Sequence, residues 1–233
     1  MWIKICGLTD PNQARTIAAL RPDAIGLNFY PNSPRFVSVS AARKISDAVG
    51  PQIERIGVFV EPSADELRRT IADCNLSGVQ IHAADEQGNI AAISFDAGPA
   101  VTRWICGLQV GEPGLSHLKK YFEKRESGER SPDACLADAL VPGMHGGTGR
   151  TAPWHLLRDE YCRDAWPPLI LAGGLRPENV AEAIATVRPW GVDVASGIES
   201  SPGVKDVARV AQFMLEARRA FAKFEHARSN AGD

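Results

Sequence analysis

Hydrophobic positions along this chain recur with two different periods. Short runs of β-branched and other apolar residues alternate with longer stretches whose apolar residues return every three or four positions. The first run, Trp2-Ile3-Lys4-Ile5-Cys6, predicts a strand, and Gly7 breaks it. Asp10-Pro11 then supplies an N-cap residue and a proline suited to the first helical position. Residues 10–20 read as a helix with Ala14, Ile17 and Ala18 on its apolar face. A second strand is predicted over 23–28. Residues 29–37 are rich in turn formers and too long for a simple connection. Ser40 starts a helix that runs to about Val49. Residues 53–60 form a nearly continuous apolar run, as expected of a strand buried on both faces. Ser63 caps a third helix, with Glu66 completing a capping box. Residues 78–82 are the fourth strand.

Residues 83–100 are poorly patterned, and a short or irregular helix is expected there. A fifth strand over 103–108 is followed by a helix over 115–126, charged on one side, and a surface turn over 127–132. The sixth strand covers 133–138. A glycine-rich loop then runs to Gly149, and Pro153-Trp154 opens a helix. The seventh strand, 169–172, ends in Gly173-Gly174 and precedes a helix over 177–187. The eighth, 192–195, ends in Ser196-Gly197. A long helix from about Val204 closes the pattern, fraying beyond Ala227. Eight strand–helix alternations predict βαβ units and a parallel sheet. Within 233 residues they fit one (β/α)8 TIM barrel domain over 1–233, slightly compact for the class. The alternative, an open doubly wound sheet, needs a glycine-rich fingerprint after the first strand, and Cys6-Gly7-Leu8-Thr9 does not supply it.

Composition changes this picture little. A hydrophobic content of 44% and a charged content of 23% are ordinary for a soluble globular chain. A formal net charge of -2 argues against nucleic acid as the main partner. No apolar run approaches the ~20 residues of a membrane span, and no signal-peptide pattern opens the chain. Five cysteines, none in a C-x-x-C pair, suggest neither a disulfide framework nor a zinc site, and a reducing cytoplasm fits best.

Candidate chemistry lies where strands end, since barrel enzymes work at the C-terminal rim. Cys6 stands there; it is either a small buried hydrophobe or a working thiol. Asp138 ends the sixth strand and reads equally as an acid, a base or an Asx-turn residue. Asp193, inside the eighth strand, suits a structural hydrogen bond better than chemistry. Gly173-Gly174 and Ser196-Gly197 follow strands seven and eight, the customary phosphate-binding position, where backbone N–H groups converge on an anion. Gly146, Gly147 and Gly149 belong to a loop suited to covering such a site. Arg35, after Ser33-Pro34, suits a planar carboxylate held by two parallel hydrogen bonds, although lone arginines are usually solvated. His82 ends strand four and is at least as readily a packing residue as a catalytic one. His145 and His155 have no metal-ligand spacing with it.

Taken together the motifs resemble the phosphoribosylanthranilate isomerase family. They are KICGLT at 4–9, NSPRFVS at 32–38, IGVFV at 56–60, VQIH at 79–82, DACLAD…GGTGRTAPW within 133–154, LAGGLRPENV at 171–180 and GVDVASGIESSPGVKD at 191–206. They fall in seven of the eight units and in family order; each is weak alone, and the combination is specific. The resemblance implies a TIM barrel that performs an Amadori rearrangement of N-(5-phosphoribosyl)anthranilate, without metal or cofactor. It implies Cys6 as general base, Asp138 as general acid, Arg35 as the carboxylate ligand, and Gly173, Gly174, Ser196 and Gly197 as the phosphate cradle. His82 and the glycines at 146, 147 and 149 are carried as substrate-contacting positions. The implied partner is the small-molecule substrate alone, for a monomer or homodimer. Ala83, Ala137, Arg150 and Ala195 depart from the family pattern, and none removes a chemical group from the mechanism. A related histidine-pathway barrel isomerase would carry a rim aspartate where Cys6 stands. A catalytically silent sugar-phosphate-binding barrel would be marked by loss of Cys6 or Asp138, and both are present.

Overall fold

A computed structural model describes residues 1–82, 101–111, 115–124, 131–139 and 153–229. Eight strands pair in chain order, all parallel: β1 (Ile3–Cys6), β2 (Ala24–Asn28), β3 (Glu54–Val60), β4 (Gly78–His82), β5 (Arg103–Val110), β6 (Ala134–Ala139), β7 (Leu169–Leu171) and β8 (Gly191–Val194). β8 pairs back onto β1, with Lys4 opposite Asp193, which closes the barrel. The helices are α1 (Pro11–Ala18), α2 (Val39–Val49), α3 (Ala64–Cys74), α4 (Ser116–Lys124), α5 (Trp154–Glu160), α6 (Val180–Val187) and α7 (Val207–Ser229).

Most helix starts follow local capping chemistry. Asp10 accepts from the Gln13 N–H at 2.7 Å, with Pro11 in the first turn. Ser63 accepts from the Glu66 N–H at 3.2 Å. α2 differs from expectation: its cap is Ser38, which accepts from the Ala41 N–H, and Ser40 lies inside the first turn. α6 begins at Val180 and not at Pro177, because Asn179 first closes a turn. Its side chain accepts from the Arg176 N–H (2.9 Å) and donates to the Gly174 carbonyl (3.0 Å). The segment from Val204 is not helical at once. A 3-10 turn (Ser196–Ile198) leads into a small antiparallel hairpin of β9 (Glu199–Ser201) and β10 (Val204–Lys205). Gly203, at φ +81°, turns the hairpin, and Thr9 donates to its carbonyl at 2.7 Å. Asp206 then accepts from the Ala208 and Arg209 N–H groups and opens α7. The expected irregular helix over 83–100, most of the turn over 127–132 and the loop carrying Gly146, Gly147 and Gly149 lie outside the described residues.

Side-chain alternation divides the core into two layers. Ile3, Ile5, Leu27, Phe59, Ile81 and Leu108 face the helices and belong to the large outer cluster. Trp2, Ala24, Ile56, Ile105, Leu136 and Ile170 face inward and fill the lower barrel. Trp2 and Trp190 stack at the N-terminal pole, ring centroids 5.5 Å apart. On the same inward face, one or two steps toward the C-terminal rim, the residues turn polar: Lys4, Cys6, Gln80, His82, Asp138 and Asp193, all buried. A greasy plug below and ionisable groups above is the arrangement that places chemistry at one pole.

Candidate active site

Cys6 is the last residue of β1 and points into the barrel mouth beside Gly26 of β2, its register partner. A β-carbon at Gly26 would stand 2.6 Å from Cys6 Sγ and 3.0 Å from Lys4 Cε. The glycine therefore makes room for both side chains. Burial pushes the Cys6 thiol up from its ordinary value, Lys4 pulls it down, and Asp193 pushes it up again. The neighbouring Gly7 has φ +77°, and a β-carbon there would collide with the Arg35 stem. Glycine thus lets Arg35 lie directly across the loop that follows Cys6.

Arg35 is buried, not solvated. Its loop is built by Asn28, whose side chain accepts from the Tyr30 N–H and donates to Ser33 Oγ. Ser33 Oγ in turn accepts from the Arg35 N–H at 3.1 Å. The guanidinium is held by Glu199 of β9 through two parallel bonds, Nε–Oε1 at 2.8 Å and Nη2–Oε2 at 2.7 Å. Lys205 of β10 donates to the same carboxylate at 2.7 Å and to the Ala195 carbonyl at 3.0 Å. Despite partial burial, the two cations hold the Glu199 carboxyl below its usual range. Burial by itself would lower the Arg35 pKa. Glu199, followed by the more distant Cys6 and Asp138, raises it instead, so one guanidinium is coupled to both candidate catalytic groups.

Asp138 lies near the end of β6, on the inward face two residues beyond Leu136. Its Oδ1 accepts from the Ala139 N–H at 2.7 Å, and a β-carbon at Gly173 would stand 2.8 Å from that oxygen. Gly173 thus gives the carboxylate its space. Gly173 and Gly174 both have positive φ, +82° and +61°. Ser196 and Gly197 begin the 3-10 turn, and a β-carbon at Gly197 would collide with the Leu175 carbonyl, so the backbones of the two rim loops approach closely. Arg209 donates twice to the Gly197 carbonyl, at 3.1 and 3.0 Å. With the Ala195, Gly197 and Gly174 carbonyls all engaged, the N–H groups of the same planar peptides, on Ser196, Ile198 and Leu175, point the opposite way.

His82 ends β4 with its ring over Gly107, and Gln80 Nε2 donates to its Nε2 at 2.8 Å. Gln80 Oε1 accepts from Lys4 Nζ at 2.9 Å, and Lys4 Nζ donates to Asp193 Oδ1 at 3.0 Å. A buried line Asp193–Lys4–Gln80–His82 therefore crosses the barrel beneath Cys6. Asp193 has the structural role that its mid-strand position suggests. Lys4, Gln80, Glu199 and Lys205 lie within the matching motifs, and their residue types alone assign them no role. Lys4 carries a visible signal, a charge two residues before Cys6 on the same strand face. Among the described residues no group of three or more His, Cys, Asp or Glu side chains is placed to hold a metal ion.

Eight parallel strands closed on themselves, with a thiol, a carboxylate and a guanidinium gathered at the C-terminal rim, define a (β/α)8-barrel enzyme. Residues 3–216 match the model of N-(5'phosphoribosyl)anthranilate (PRA) isomerase, and the chain belongs to that family. It is 40% identical over 219 residues to the N-(5'-phosphoribosyl)anthranilate isomerase of Chlorobaculum parvum, covering 93% of this chain and 94% of that one. The isomerase of Acidithiobacillus ferrooxidans is also 40% identical, over 93% of this chain and 97% of its own. The crystal structure of phosphoribosyl anthranilate isomerase from Thermotoga maritima superposes with a TM-score of 0.77 at 32% identity, covering 94% of this chain and 98% of that one. Another, of a phosphoribosyl anthranilate isomerase in complex with reduced 1-(o-carboxyphenylamino)-1-deoxyribulose 5-phosphate, gives 0.74 at 30% identity, covering 94% of this chain and 98% of that one.

Proposed function

We infer that this chain catalyses the Amadori rearrangement of N-(5-phosphoribosyl)anthranilate to 1-(2-carboxyphenylamino)-1-deoxyribulose 5-phosphate in tryptophan biosynthesis, with Cys6 as general base and Asp138 as general acid. The observation that carries the residue assignment is the placement of the two groups: Cys6 ends β1, Asp138 stands near the end of β6 on the inward face, and Arg35 lies across the loop that follows Cys6, where Gly7 has no side chain. Asp138 donates its proton to the furanose ring oxygen as the C1–O bond breaks, leaving a C1=N iminium. The Cys6 thiolate removes the C2 proton, and that electron pair forms C1=C2 and neutralises the nitrogen. The resulting enol then tautomerises, its hydroxyl proton relocating to C1, so atoms and charge balance. Acid and base act on different atoms of one sugar, which suits groups on separate strands.

Arg35 spends Nε and one Nη2 proton on Glu199. Its Nη1–Nη2 edge is still a planar fork for the anthranilate carboxylate. Gly173, Gly174, Ser196 and Gly197 offer backbone N–H groups to the phosphate. His82 and Gly146, Gly147 and Gly149 complete the substrate-contacting set carried over from the family motifs. We further propose one barrel domain over 1–233, acting in the cytoplasm as a monomer or homodimer on a small-molecule substrate alone. The test is to mix purified protein with freshly made phosphoribosylanthranilate and follow loss of its fluorescence. Decay no faster than the spontaneous rate overturns the activity.

A further inference from the structure

We propose that Lys4 is a positioning residue of the acid–base site: its buried ammonium stands under Cys6 on the same strand face and stabilises the thiolate that takes up the substrate proton. The inference rests on Cys6 being the base. Lys4 and Cys6 are two residues apart in β1, so both project to the barrel interior, about 7 Å apart along the strand at the backbone. They converge from there, because Lys4 Cε and Cys6 Sγ both enter the space left by Gly26, within 3.0 and 2.6 Å of one point. Lys4 is fully buried and sits above an apolar plug that another aliphatic residue could extend. Burying an ammonium there costs several kcal/mol unless it is paired. Asp193 and Gln80 take two of its three protons, at 3.0 and 2.9 Å, and the third is left for the rim side.

An ion pair used only to tie β1 to β8 would not need to lie next to the thiol. The charges around Cys6 come from several elements. Lys4 on β1 and Lys205 on β10 favour the thiolate, and Asp193 on β8 opposes it. Arg35 on the loop after β2, itself clamped by Glu199 on β9, couples to Cys6 and to Asp138 on β6. His82 on β4 reaches Lys4 only through Gln80. Burial drives the thiol toward its neutral form, and Lys4 is the strongest group opposing that drive. Asp193 in turn keeps Lys4 charged although burial favours the neutral amine.

The experiment follows alkylation of Cys6 by iodoacetamide over about pH 6–10, peptide by peptide, in the parent, Lys4→Gln and Lys4→Arg. Exposed Cys162 serves as internal control. Lys4→Gln is expected to move the Cys6 rate–pH curve toward alkali and cut the rate at neutral pH about tenfold or more, one pH unit being tenfold in thiolate. Lys4→Arg keeps the charge and is expected to leave the curve closer to the parent's than Lys4→Gln does. Superimposed parent and Lys4→Gln curves, or equal shifts in Lys4→Gln and Lys4→Arg, overturn the proposal. Should Lys4→Gln fail to fold, Lys4→Met takes its place: an alkaline shift supports the proposal, and a curve superimposed on the parent's overturns it. A Cys6→Ala protein with parental kcat would instead overturn the base assignment, and alkylation of the parent would still read the Lys4–Cys6 coupling.

Discussion

At the scale of single residues, the site is a compromise at Cys6. The proposed mechanism needs a thiolate as base, yet burial pushes the thiol up, so at neutral pH that form is the smaller population. The sign follows: kcat is expected to rise as pH increases, the limb lying toward alkali compared with an exposed cysteine. One base and one acid needed in opposite protonation states give a bell-shaped profile. Cys6→Ala is expected to lower kcat by about 10²–10⁴-fold with little change in KM. Steady-state kinetics checks this, and a retained kcat would return Cys6 to a packing role. Asp138→Asn keeps a carbonyl oxygen to accept from the Ala139 N–H, so its thermal midpoint should stay close to the parent's. Turnover should be lost while product still binds, read by fluorescence titration. An unchanged rate and profile would reopen the choice of acid.

At the scale of elements, strand ends and the loops that follow them set the geometry. The pattern of apolar positions fixed all eight strands nearly in place because each is bounded by turn chemistry and buried on both faces. It missed the β9–β10 hairpin, since Val204 and Lys205 continue an apolar pattern into α7 and only the Pro202-Gly203 turn before them separates the two. The same omission hid the Glu199–Arg35–Lys205 clasp, because its members are 164 and 6 residues from Glu199 and meet only once the barrel closes. Cys6, Asp138 and Arg35 were legible because each sits beside a strand end or proline-flanked loop. Lys4 was not, because a strand lysine ordinarily reads as solvent-facing. The glycine loops proposed to hold phosphate carry a prediction of their own. Gly174 has φ +61°, so any L side chain there costs about 1 kcal/mol in backbone strain before its chemistry counts. Gly174→Ala measures that strain, and Gly174→Glu adds a negative charge where N–H groups are to face an anion. KM should rise far more in Gly174→Glu than in Gly174→Ala, and inorganic phosphate should compete with substrate in the parent. Equal KM values in the two variants, or non-competitive phosphate, would remove the anion from this loop.

For the whole molecule, the barrel separates stability from chemistry by pole. Arg103 opens β5 and Glu54 opens β3, so both stand at the N-terminal end, opposite the rim. Their fork is bidentate, Nε–Oε2 at 2.6 Å and Nη2–Oε1 at 2.7 Å, and both side chains are about three-quarters buried. The Arg103 guanidinium carbon also lies 5.7 Å from the Trp2 ring centroid and 5.4 Å from that of Trp190, the two rings that seal this pole. A cation–π contact is worth about 0.5–1 kcal/mol at an exposed site and more when desolvated. Breaking the ion pair also leaves Glu54 partly buried without its partner. Arg103→Ala is therefore expected to destabilise the fold by about 1–3 kcal/mol, at roughly 2–4 °C of midpoint per kcal/mol for a chain this size. Arg103→Lys should recover little, since an ammonium cannot make the planar fork. Neither change reaches β-strand C-termini, so kcat and KM measured well below the midpoint should match the parent. Thermal unfolding and steady-state kinetics on the same preparations decide it. A variant with a parental midpoint and a lowered kcat would show that the lower barrel is not merely support, and that its packing is transmitted to the rim.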